Sequence, residues 1–400
     1  MLQAIPASNC IIGKEEKDAM HLAVDRGWLT EGPFVKAFEE RLASQFSVKH
    51  AITCNSGSSA NLLAVAALVE AGYWRAGDEI LTVAASFPTT VNPLLLYGLV
   101  PVFVDIRLDT LNVDVSLLQK AITTKTKGIM LAHTLGNPFD VAEVLKLCRA
   151  FNFRLVEDCC DALGSTYNGQ HVGRFGDIAT CSFFPAHHIT TGEGGAVMTN
   201  SDKLATLIRS VRDWGRDCYC LPGKENTCGK RFYQENSLPK GYDHKYTYSS
   251  LGFNLKITEI QAACGVAQFD RLPTFIQNRR SNFAYLAGQL DGLSALNITR
   301  ATPSSDPSWF GFPITIKEKG IRSKLQEYLA ERQIGSRLLF SGNITKQPYM
   351  KHRKFRVYGE LTNTDKVMND TLWIGVWPGL TEPMLEFVAQ KIKEFFGDGF

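Results

Sequence analysis

The stretch Ser182-Phe-Phe-Pro-Ala-His187-His188-Ile-Thr-Thr-Gly-Glu-Gly-Gly195 decides how this chain is read. A short β-type run, 178–184, ends in a loop that carries a hydroxyl and two imidazoles. The loop closes on Gly192, Gly194 and Gly195, residues that let a backbone approach a ligand closely or take positive φ. Imidazole moves protons near neutral pH, so the segment reads as a catalytic loop at a strand end.

Working outward, 79–157 alternates apolar strands (79–83, 101–105, 128–132, 153–157) with helices (88–97, 115–121, 141–151). This rhythm predicts an α/β fold with a buried, mostly parallel sheet. Ligands of such sheets sit beyond the carboxyl ends of the strands, where Asp158 falls. Asn55-Ser-Gly-Ser-Ser-Ala-Asn61 follows a strand, 50–54, and opens an apolar helix, 62–71. A turn of small residues at a helix N-terminus is an anion site, because free backbone N–H groups and the dipole both face the ligand. Upstream, 14–46 reads as helix, turn, helix. Downstream, Thr258 caps a helix over 259–270, followed by a long helix to about 290, a strand at 309–316 and helices at 323–331 and 382–396. The expected organisation is an N-terminal arm (1–20), a large domain (21–272) and a smaller C-terminal α/β domain (273–400). Trp309, Phe310, Phe312, Trp373 and Trp377 read as core.

Composition limits the function. The 400 residues, 44% hydrophobic and 21% charged, suit a globular protein of one large and one smaller domain. A net charge of +3 gives no basis for nucleic-acid or membrane-surface binding. No apolar run reaches transmembrane length, and Met1-Leu-Gln-Ala-Ile-Pro lacks a signal-peptide pattern. A cytoplasmic chain is expected, with its ten cysteines reduced or metal-bound.

Cys160, Cys218, Cys220 and Cys228 follow the spacing C-x57-C-x-C-x7-C. Iron–sulfur clusters take four Cys ligands; structural zinc does too, typically in closely spaced pairs, and the spacing alone leaves both open. Cys10, Cys54, Cys148, Cys159, Cys181 and Cys264 read as small buried apolar residues.

Taken together, these segments resemble the sugar aminotransferases of the DegT/DnrJ/EryC1/StrS family, which have the aspartate-aminotransferase fold (PLP-dependent fold type I). That family reads Ser-Phe-x-x-x-Lys before its Gly-rich closure, and the Lys holds pyridoxal phosphate covalently. Here the Lys position is His187, which cannot do so. The resemblance implies phosphate contacts from Gly57 and Ser58, ring stacking by Phe87, pairing of Asp158 with the pyridinium nitrogen, and a cofactor-binding Ser182. It also implies that Asn254, in Leu251-Gly-Phe-Asn254, reaches the cofactor phosphate of a neighbouring subunit, so a homodimer shares the site.

A His in the Lys position together with the cysteine quartet looks like the iron–sulfur branch of that family. Pro185-Ala-His-His-Ile-Thr, Glu157-Asp-Cys-Cys-Asp-Ala-Leu-Gly and Arg212-Asp-Trp-Gly-Arg-Asp-Cys-Tyr-Cys carry the likeness. The branch implies pyridoxamine 5′-phosphate (PMP) and a 2Fe–2S cluster on Cys160, Cys218, Cys220 and Cys228, with His187 as base. Its implied reaction is C3 dehydration of CDP-4-keto-6-deoxyglucose in 3,6-dideoxysugar and lipopolysaccharide synthesis, helped by an NAD(P)H-dependent iron–sulfur flavoprotein reductase. Three rivals stand beside it: a TDP-linked 4-keto-2,6-dideoxysugar as substrate, a cluster-free GDP-sugar dehydratase, and a non-enzymatic iron–sulfur sensor. The retained Gly57, Ser58, Asp158 and Ser182 argue against the sensor, which needs no pyridinium partner.

Overall fold

The computed structural model describes residues 4–218, 220, 223–233 and 237–397. The first half runs α1 (Lys14–Asp25), α2 (Pro33–Phe46), β1 (His50–Cys54), α3 (Gly57–Glu70), β2 (Glu79–Val83), α4 (Pro88–Leu96), β3 (Val100–Val104), α5 (Val115–Ala121), β4 (Thr126–Ala132), α6 (Val141–Phe151) and β5 (Arg154–Asp158). Then come β6 (Thr166–Tyr167), β7 (Gln170–His171), β8 (Ile178–Ser182), β9 (Gly195–Thr199), α7 (Asp202–Arg212) and α8 (Glu259–Leu290). The remainder is β10 (Leu296–Ile298), β11 (Ser305–Asp306), β12 (Gly311–Ile316), α9 (Ile321–Glu331), β13 (Ser336–Leu338), β14 (Arg356–Val357), α10 (Thr362–Asp370), β15 (Thr371–Gly375) and α11 (Glu382–Gly397).

Eight strands form the large sheet in the order β1-β9-β8-β5-β4-β2-β3-β14. Pairing is parallel from β8 across to β14 and antiparallel on both sides of β9. Strands β2, β3, β8 and β9 are buried along their whole length, as a sheet covered on both faces requires. The Ala- and Leu-rich α3 has no polar face because it lies between the sheet and α7 and α4. A smaller antiparallel sheet, β10-β12-β15-β13, carries the C-terminal part, with α9 and α11 against it.

The helix expected to stop near 270 does not stop. α8 is one helix of 32 residues that passes through Pro273, so the boundary expected at 272/273 falls inside it. Proline removes one backbone hydrogen bond and strains the preceding turn. Burial of Leu272 and Phe275 on one side and Phe283, Leu286 and Leu290 further on holds both halves in line. Two other segments cross between the parts. Gly335 donates to the Ile5 carbonyl at 2.8 Å, which ties the N-terminal arm to the small sheet, and β14 joins the edge of the large sheet. No helix among the described residues is long and apolar enough to cross a membrane.

Candidate active site

The ends of β5 and β8 and the start of α3 converge on a cavity of about 450 Å³. Gly57, Ser58, Phe87, Asp158, Cys160, Asp161, Ser182 and His187 all line it, so the cofactor contacts expected within one chain share one space. Asp158 closes β5 and is nearly buried. Its Oδ2 accepts from Asn61 Nδ2 and Thr90 Oγ1, both at 2.8 Å, and its Oδ1 accepts from the Cys160 amide at 3.1 Å. Asn61 is itself held by Thr180, whose hydroxyl donates to its carbonyl oxygen at 2.7 Å. Hydrogen bonds to a carboxylate contribute about 1.5–3 kcal/mol each, which fixes the angle at which Asp158 meets a ligand.

Beside it, Ser56 caps α3 and leaves Gly57 and Ser58 at the first turn. A Cβ on Gly57 would lie 2.4 Å from Ser182 Cβ and 3.0 Å from Cys160 Sγ, so only glycine lets the helix start come this close to β8. Gly195 serves the same closure from β9, since its Cβ would lie 2.3 Å from the Ser56 carbonyl oxygen. These residues fit a pyridoxal-type cofactor: a helix N-terminus for a phosphate, and a pinned carboxylate in the same cavity. Gly57→Ala is expected to push α3 off β8 at a cost of about 1–3 kcal/mol and to strip PMP from the protein. Equilibrium dialysis with PMP and a thermal melt check this; wild-type retention of PMP would remove Gly57 from the cradle.

His187 stands on a loop pinned at several points. Phe183 donates to the Gly194 carbonyl at 2.8 Å, Thr191 donates back to the Phe183 carbonyl at 3.0 Å, and the His187 amide reaches the Phe184 carbonyl at 2.9 Å. Arg279 on α8, fully buried, donates to the carbonyls of Ala186 and His187 and to those of Trp309 and Phe310. That guanidinium ties the His187 loop to the start of the small sheet. Burial, with Arg279 second, pushes the His187 imidazole down to about 3, so it is uncharged at neutral pH. Its Nδ1 lies 3.4 Å from Asp161 Oδ1 without making a hydrogen bond. Burial and the neighbouring Asp158 raise the Asp161 carboxyl to about 8. His188 points away, its Nε2–H on the Ser308 carbonyl at 2.8 Å.

The cysteines are brought together only in part. Cys218, Cys220 and Cys228 line a second cavity, of about 230 Å³, whereas Cys160 lines the first. Burial raises the Cys218 thiol; a hydrogen bond from Thr227 lowers that of Cys220, their sulfur and oxygen 3.0 Å apart. The three thiols share one cavity without all lying within 4.8 Å of one another, and the fourth expected ligand, Cys160, lines the other cavity. Among the described residues, the group whose potential ligand atoms all lie within 4.8 Å of one another is His133, Glu157 and Cys159. Glu157 there accepts backbone N–H groups from Gly173, Phe175 and Gly176, which makes the group a structural knot.

Cys54, Cys148, Cys159, Cys181 and Cys264 are buried as expected, but Cys10 is only partly buried. Asn254 is exposed and accepts from Lys256, away from the His187 cavity of its own chain. Phe310 and Trp373, expected only as core, are buried and also line the cavity. Sequence reasoning missed Asn61, Thr90, Asp161 and Arg279. Asn61, a lone amide opening an apolar helix, was a usable signal; Arg279 beside Arg280 on a long helix was not.

The DegT/DnrJ/EryC1/StrS aminotransferase family matches this chain over residues 10–393. The chain is 56% identical to the lipopolysaccharide biosynthesis protein RfbH of Salmonella typhimurium, across 99% of this chain and 92% of that protein. It is 47% identical to the dTDP-4-dehydro-2,6-dideoxy-D-glucose 3-dehydratase of Saccharopolyspora spinosa, across 98% and 86%. A solved GDP-4-keto-6-deoxymannose-3-dehydratase carrying a trapped PLP–glutamate geminal diamine superposes with a TM-score of 0.88 at 30% identity, across 97% of this chain and 100% of that one. The fold is thus the PLP-dependent type I architecture that the sequence led us to expect.

Proposed function

This chain belongs to the DegT/DnrJ/EryC1/StrS aminotransferase family, and from that premise we propose that it removes the C3 hydroxyl of CDP-4-keto-6-deoxyglucose in 3,6-dideoxysugar synthesis for lipopolysaccharide O-antigen. The carrying observation is the His187 imidazole, which lines the same cavity as Asp158 and stands at the position of the family's Lys in the sequence. An imidazole leaves the cofactor's amine free and accepts a proton.

PMP is the cofactor this reading requires; Gly57, Ser58 and Ser182 would hold its phosphate, Phe87 would face its ring and Asp158 would pair with its ring nitrogen. When bound it supplies an amine for the C4 ketone and a ring that takes up the electrons released at C4′. His187 receives the C4′ proton as the C3 hydroxyl departs. Asp161 Oδ1 lies 3.4 Å from His187 Nδ1, and because its carboxyl is raised to about 8 and largely protonated at neutral pH, it borders the ring without a standing counter-charge. Asp158 keeps its hydrogen-bonded geometry throughout because Asn61 and Thr90 hold it from behind.

The reading includes a 2Fe–2S cluster on Cys160, Cys218, Cys220 and Cys228, fed by an iron–sulfur flavoprotein reductase. Its support is the thiol trio in one cavity and the lowered Cys220 thiol. Cys218→Ser is expected to lose all acid-labile sulfide and at least about 90% of the reductase-dependent 3-deoxy product. The same variant should retain His187-dependent oxygen exchange at C3 with solvent. Zinc in place of iron in anaerobically purified protein would refute the cluster. Asn254 of each chain completing the other's site is the matching proposal for a homodimer.

A second substrate reading has its own support, the 47% identity to a dTDP-sugar 3-dehydratase. Turnover assays with CDP-, TDP- and GDP-linked 4-keto-6-deoxysugars test the proposal. Transamination, or dehydration of the TDP-linked sugar alone, would overturn the CDP assignment.

A further inference from the structure

Arg337 lies on β13, the edge strand of the small sheet, in register opposite Trp373, and both side chains line the His187 cavity. Among the described residues around that cavity it is the only Arg or Lys; the carboxyl groups there are Asp158 and Asp161. Two other arginines of this chain show the usual alternative, pairing with carboxylates: Arg356 makes two bonds to Glu79, and Arg212 is bracketed by Glu31 and Asp213. Arg337 is not. No described carboxylate comes within 4.0 Å, and its Nη1 donates only to the adjacent Ser336 carbonyl, at 2.9 Å. The side chain is exposed and lines the cavity, whereas Asp158 and Asp161 are buried in it.

An anion entering this cavity therefore meets one cation at the rim and two carboxyl groups inside. A ligand with an uncharged end and a doubly charged end can lie in only one direction. We propose that Arg337 clamps the diphosphate of the nucleotide-linked substrate, so that the hexose points inward to His187 and the base outward. The inference rests on the nucleotide-sugar reading above. A guanidinium fork suits this task because it meets two phosphate oxygens at once, which an ammonium cannot. Past Phe87 and Phe340 a groove with Pro88, Asn92 and Tyr349 on its walls continues from the cavity, and this is the space left for the base.

The test uses the PMP-loaded protein and its Arg337→Gln and Arg337→Lys variants, with calorimetric titration of CDP, inorganic pyrophosphate and L-glutamate. Arg337→Gln is expected to weaken CDP and pyrophosphate binding about 10–100-fold, the loss of one charged, paired contact. It should raise KM for the nucleotide sugar by the same factor while kcat falls less than about threefold, since the clamp acts equally on ground and transition states. Arg337→Lys should recover part of the affinity, and PMP content should not change. If the wild type binds none of the nucleoside diphosphates, the nucleotide-sugar reading fails and this inference with it. If the wild type binds CDP and Arg337→Gln binds it equally well, the clamp alone is wrong. Loss of glutamate binding with CDP affinity intact would reassign Arg337 to a carboxylate and also overturn the proposal.

Discussion

His187→Asn is expected to lower dehydration by about three orders of magnitude while leaving PMP bound. The amide is smaller than the imidazole and adds no bulk, and the loop that carries it is held by backbone bonds and by Arg279, none of which use the ring. What disappears is an uncharged nitrogen able to accept a proton. The readout that isolates this step is exchange of the C4′ hydrogen of PMP with solvent, which should stop in the variant when substrate is present. Activity within about tenfold of wild type would place the base elsewhere. His188 would be the first residue to test, although its Nε2–H is committed to Ser308 and the ring is 2% exposed. His187→Lys makes a complementary probe, because a lysine there should capture pyridoxal phosphate covalently and shift its absorbance.

Asp158→Asn is expected to reduce turnover by about 10²–10³-fold, the scale on which removal of one preorganised electrostatic partner acts. A neutral amide cannot hold a pyridine nitrogen protonated, so the ring loses its capacity to take up charge. The same change disturbs the protein in the absence of any cofactor. Oδ2 now accepts from both Asn61 and Thr90, and an amide NH2 rotated to that position would oppose two donors at 2.8 Å. With its oxygen kept there, the NH2 falls where Oδ1 accepts the Cys160 amide at 3.1 Å. At least one contact is lost in either orientation, and a loss of about 1–3 kcal/mol in stability follows. A melt of the apo-protein measures that part and the cofactor spectrum measures the other. Retained turnover with PMP bound would remove Asp158 from the ring nitrogen.

How much of this was legible in advance follows from what each residue depends on. The order of strands and helices through the first half, and the placing of Gly57, Ser58, Asp158, Ser182 and His187 at strand and helix ends, depend on local pattern: apolar runs of strand length, a small-residue turn before a helix, a Gly-rich closure; Phe87 was assigned through the family resemblance alone. Such patterns act over a few residues, and all six residues do line one cavity. The sequence likewise determined that His187 replaces the family's Lys, which needs no coordinates at all.

Tertiary structure decided the rest, because long-range packing can override a local rule. A proline inside α8 signals an ending, yet burial on both sides keeps 32 residues in one helix. Nothing local marks Arg279, beside Arg280 on that helix, yet it is fully buried and, after burial itself, lowers the basicity of an imidazole 92 positions away in the chain. The four cysteines share a spacing, but the chain delivers three to one cavity and the fourth to another. Spacing records the length of chain between two thiols; the distance between them is set by where the sheet sends each strand end and by the loops that follow.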